Sequence, residues 1–78
     1  NDLEKAEKYL LKAVNIVKND PTIHDHLGDL YFKVGDLGKA RDYWSKSLAN
    51  GTEPEEMQKV RDKLEKLEET LRKQKRRQ

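Results

Sequence analysis

The first seventeen residues return, altered, 34 positions later. Laying residues 1–17 over 35–51 superimposes Asp2 on Asp36, Leu3 on Leu37, Lys5 on Lys39, Ala6 on Ala40, Tyr9 on Tyr43 and Lys12 on Lys46. Six identities in seventeen is a modest score. It gains weight from Leu10 over Trp44, Ala13 over Ser47 and Val14 over Leu48, which keep the size class along the apolar stripe. A period of this length is that of one helix-turn-helix unit, and such a unit buries its apolar face only by stacking on its neighbours.

The apolar residues fall into four stripes of helical spacing. Leu3, Ala6, Leu10, Ala13, Val14 and Val17 make the first, and Ile23, Leu27, Leu30, Tyr31 and Val34 the second. Leu37, Ala40, Trp44, Ser47 and Leu48 make the third, and Met57, Val60, Leu64, Leu67 and Leu71 the fourth. No segment alternates with a period of two for long enough to argue a strand. Asn19-Asp20-Pro21 reads as a stop, then an N-cap with proline at the first helical position. Gly35-Asp36 reads as a tight interhelical turn and Asn50-Gly51 as a C-cap. Thr52 to Glu56 restarts a helix, with Pro54 in its first turn and Glu53, Glu55 and Glu56 favouring the positive end of the dipole. These signals predict an all-α chain with helices over 2–18, 21–34, 36–49 and 53–75.

Leu27-Gly28, Tyr31, Ala40 and Trp44 stand at the spacing of the tetratricopeptide repeat family, which the chain resembles. The resemblance implies antiparallel helix-turn-helix repeats forming a fragment of an α-solenoid. Gly28 and Ala40 let the two helices of the hairpin approach closely, while Tyr31 and Trp44 fill the larger gaps around that contact. There are departures. His24 stands where the motif usually opens with a large aromatic, and both prolines come two or three residues late. On this reading residues 1–78 form a single domain: 1–18 the second helix of a partial repeat, 21–50 a complete repeat, and 53–78 a capping helix with a basic tail.

The fourth helix carries Leu64 near the place where a further repeat would have its glycine, and a bulky residue there blocks a following helix. The helix therefore reads as a cap. Its stripe is spaced 3, 4, 3, 4, which is also the seam of a coiled coil, so pairing of its second half with another chain stays open.

Composition excludes several function classes. Charged residues are 41% of the chain and hydrophobic ones 33%, a balance that suits thin helical elements with wide solvated faces. Without cysteine there is no disulfide framework or thiolate metal site. No apolar run approaches a membrane span, so no membrane partner is expected. The net charge of +2 implies no dominant nucleic-acid field. The chain opens on Asn1 rather than Met, as a processed product or a piece of a longer protein would.

Catalytic, cofactor and metal sites are not expected. His24 and His26 of the His24-Asp25-His26 run lie about 200° apart on a helix and cannot share one metal. His24 fits a packing role, and His26 an i, i+3 pair with Asp29. The tail Arg72-Lys73-Gln74-Lys75-Arg76-Arg77 could meet phosphate, but cations there also offset the helix dipole, and no aromatics are interleaved to stack bases.

What the family resemblance implies is a protein-protein interaction module whose partner segment lies along the first helix of each repeat. Thr22, Asp25, Asp29, Phe32 and Lys33 occupy that wall. Some family members grip a C-terminal carboxylate there with Lys and Asn. Asp25 and Asp29 take the matching places and would repel it, so a basic or polar partner with an apolar anchor against Phe32 is expected instead. The competing reading is self-association, most simply as a dimer, through Leu3, Leu10 and Val14 at one end and Leu64, Leu67 and Leu71 at the other.

Overall fold

The computed structural model describes residues 2–76, with Arg76 described by its backbone only. Four helices follow one another: α1 (Asp2–Ile16), α2 (Pro21–Val34), α3 (Leu37–Asn50) and α4 (Pro54–Arg76). Each packs on its neighbour in the chain, and together they make a slab 40 × 34 × 15 Å.

Local chemistry sets the boundaries. Asp20 caps α2 by accepting from the Thr22 and Ile23 amides at 2.8 and 3.3 Å, with Pro21 at the first helical position where no amide hydrogen is needed. Gly35, at φ 89°, closes α2 in the left-handed conformation that costs glycine nothing. Asp36 then caps α3 through the Lys39 amide at 3.2 Å. A two-residue connection forces the helices on either side to run antiparallel.

One helix end is corrected, and two further features take a definite form. α1 ends at Ile16 rather than residue 18, leaving Val17 49% exposed instead of on the packing stripe. Gly51 caps α3 in an extended conformation, φ −75° and ψ 147°, because the chain must leave directly toward α4. What glycine supplies there is space: a Cβ would stand 2.8 Å from Met57 Cγ and 3.1 Å from the Ser47 carbonyl oxygen. The seam on α4 is the other such feature. Leu67 is fully buried, and Leu64 and Leu71 pack half-buried against the same core, keeping part of their surface exposed.

The core joins Leu27 and Tyr31 of α2, Ala40 and Trp44 of α3, and Val60 and Leu67 of α4. α1 contributes no buried residue; its Leu10, Leu11 and Val14 lie half-buried at the edge. A hydrogen bond from the Tyr31 hydroxyl to Glu7 Oε2, at 2.8 Å, ties α1 to α2.

Candidate functional site

Between α2 and α4, with α3 beneath, runs a groove containing two concavities. Thr22, Asp25, Asp29 and Phe32 recur every three or four residues along α2, so they share the face that lines it. Thr22, Asp29 and Lys33 are exposed, whereas Asp25 and Phe32 are half-buried.

One residue absent from the sequence reading organises the groove. Lys63, from α4, donates to Asp25 Oδ1 and Asp29 Oδ1, each at 2.9 Å, and to Asp29 Oδ2 at 3.1 Å. Burial works against the charged ammonium, and the bonds to the two carboxylates outweigh it, so the Lys63 pKa lies above the ordinary lysine value. Trp44 Nε1 donates to the Asp25 carbonyl oxygen and to Asp29 Oδ1, both at 3.2 Å. The Asp29 carboxylate is thus turned toward Lys63 and Trp44, and the pair expected with His26 is not formed. The expected repulsive pair of carboxylates is already matched by a cation from the next helix.

The two ends of the groove differ in charge. At one end a concavity of 370 Å³ is lined by Asp29, Phe32, Lys33, Trp44, Lys63 and Lys66. The Phe32 and Trp44 rings meet there at a tilt, centroids 5.5 Å apart, so the half-buried Phe32 ring, backed by the 2%-exposed Trp44, faces a rim of three ammonium groups and one carboxylate. At the other end a smaller concavity of 150 Å³ has Asp25, Glu53 and Glu56 around Pro21, Met57 and Val60. Lys63 and Lys66 follow the packing stripe of α4 at a fixed offset, which puts them on one face of that helix but does not say what the face meets. Trp44 was read as packing alone, but its ring also lines the groove.

Leu27, Gly28, Tyr31, Ala40 and Trp44 are all buried at the α2–α3 contact. Of the residues expected to mediate self-association, Leu3 is 38% exposed and Leu10 and Val14 are half-buried. Among the described residues no group of three His, Cys, Asp or Glu side chains could hold a metal ion, and no helix is long and apolar enough to cross a membrane. In the basic tail, Lys73 pairs with Glu69 at 3.7 Å, while Arg77 and the Arg76 side chain lie outside the described residues.

No family model and no solved structure matches the chain. Over 48 residues, 62% of its length, the chain is 40% identical to the anaphase-promoting complex subunit CDC16 of Saccharomyces cerevisiae. That match spans 6% of the subunit's length. The chain is an all-α helical repeat fragment, tetratricopeptide-like in its Leu27-Gly28, Tyr31, Ala40 and Trp44 pattern, and similar over that stretch to a subunit of a protein complex.

Proposed function

We propose that this chain is a protein-interaction module, without catalytic activity, that receives an internal segment of a partner protein in the α2–α4 groove and is not a carboxylate clamp. The observation that carries the reading is the half-buried Phe32 ring, backed by the buried Trp44 indole and rimmed by Lys33, Lys63 and Lys66. It suits an apolar side chain flanked by acidic residues, because an anchor is desolvated against the rings while carboxylates reach the ammonium groups. The similarity to a subunit of a multi-protein complex supports the same class of function. The preference for acidic flanks replaces the basic partner expected from sequence, since Lys63 already answers Asp25 and Asp29.

Trp44, the one tryptophan, reports directly on the site. Titrating peptides with amidated C-termini and an apolar residue between acidic ones is expected to change its fluorescence with a Kd of about 10–100 µM. Phe32→Ala should weaken binding about tenfold, and freeing the C-terminal carboxylate should leave the affinity unchanged. Equal affinity for a basic-flanked peptide would overturn the charge assignment, and no saturable change with any peptide would overturn the groove.

A second reading rests on a different observation. α1 buries no residue fully: Leu3 is 38% exposed near its start and Ile16 76% at its end, with Leu10 half-buried between them, and Val34 of α2, 52% exposed, lines a concavity with Leu3. We infer that a second copy covers this face of α1, giving a dimer. Light scattering coupled to size exclusion tests it: a single species at 9.2 kDa at all concentrations removes this reading and leaves the groove untouched.

A further inference from the structure

His24 lies at position four of α2 and is 4% exposed, yet its Nδ1 has no hydrogen-bond partner among the described residues. A buried imidazole nitrogen without a partner forfeits the hydrogen bond it would make in water. His24 forms part of the wall of a concavity of 370 Å³ between α1, α2 and α3, which shares no residue with the groove. The other polar groups around it are Asn15 from α1, Lys18 and Asn19 from the α1–α2 link, and Tyr43, Lys46 and Asn50 from α3.

Their arrangement has one sign. The Tyr43 ring stacks on His24 with centroids 6.1 Å apart, and Lys46 Nζ stands 5.1 Å from the centre of the Tyr43 ring. No ion pair among the described residues engages Lys18 or Lys46. Asp20, the nearby carboxylate that acts on His24, is committed to capping α2. No carboxylate lines the concavity, which offers two unpaired ammonium groups, carboxamides and an imidazole lacking a partner.

We propose that this concavity is a binding site for a small oxyanion group, a carboxylate or a phosphate, held by Lys46 and Lys18 against the edge of His24. Charge-assisted bonds from ammonium groups to an oxyanion are stronger than neutral ones, and an anion in the concavity also favours a proton on the imidazole. The empty-site tendency is the reverse: burial first, and the Lys46 charge second, hold the His24 pKa below the ordinary histidine value, with Asp20 opposing.

The test follows the imidazole and lysine side-chain NMR signals of the full chain at constant ionic strength, with inorganic phosphate and acetate added in separate arms against chloride. Saturable shifts at His24 and Lys46 are expected with a Kd of about 1–20 mM, together with an upward move of the His24 titration and none at His26. Lys46→Gln, on an exposed position, should weaken binding about fivefold. His24→Trp should fill the space and abolish it. A response to phosphate alone assigns the site to phosphate groups, and a response to both extends it to carboxylates. No saturable change in either arm, or equal changes at His24 and His26, overturns the proposal.

Discussion

The indole of Trp44 occupies the space that a Cβ on Gly28 would need. Both residues are buried at the α2–α3 contact, and the ring edge nearest Gly28 is itself anchored, Nε1 donating to the Asp25 carbonyl oxygen and to Asp29 Oδ1. To retreat from an added methyl group the ring would have to give up these bonds. Gly28→Ala, a helix-favouring change elsewhere, should therefore destabilise the fold by about 1–3 kcal/mol. Urea unfolding followed by circular dichroism checks this, and an unchanged or raised midpoint would show that α2 and α3 can separate freely.

Lys63 holds α4 against α2 through Asp25 and Asp29. Its side chain is 34% exposed and that of Asp29 47%, so solvent screens much of the attraction, whereas Asp25 at 20% is left in a poorer position if the cation is removed. Lys63→Met should cost about 0.5–1.5 kcal/mol, with the difference from the parent chain narrowing as salt is raised. A double-mutant cycle with Asp29→Asn measures the coupling, and strict additivity would mean that the pair contributes nothing.

Tyr31 gives the fold an alkaline limit. Burial first, and then the bond its hydroxyl donates to Glu7, raise its pKa well above the ordinary value of 10.0. The unfolded chain releases that proton earlier, so the stabilisation is complete below pH 10.0 and is lost as pH rises beyond it. Lys63, whose pKa is also raised, adds a loss in the same direction above 10.5. Absorbance titration should find one of the three tyrosines ionising late, and Tyr31→Phe should remove that tyrosine and flatten the alkaline fall in stability.

His24 gives the opposite, acid-side slope. Its pKa is lowered in the folded state, so from 6.5 downward the unfolded chain takes up a proton that the folded chain resists, and stability falls with pH. Comparing unfolding midpoints at pH 7 and at about pH 5 should show a drop that His24→Phe abolishes and His26→Phe does not. A drop carried by His26 instead would place the acid sensitivity on the exposed ring.

Sequence alone determined the four helices, the caps at Asp20, Gly35 and Asp36, and the α2–α3 contact. Asp20, Gly35 and Asp36 act on amides or torsions within three residues of themselves, and Gly28 faces Trp44 because a short turn leaves two adjacent helices only one way to pack. The site needed the tertiary structure. Lys63 meets Asp25 across 38 positions, and nothing local specifies where α4 crosses α2. The 3, 4 spacing of Leu64, Leu67 and Leu71 is the same whether the stripe meets its own chain or another. Helical period records which residues share a face, and what that face meets depends on the exit direction at Gly51, where the backbone turns extended beneath Met57.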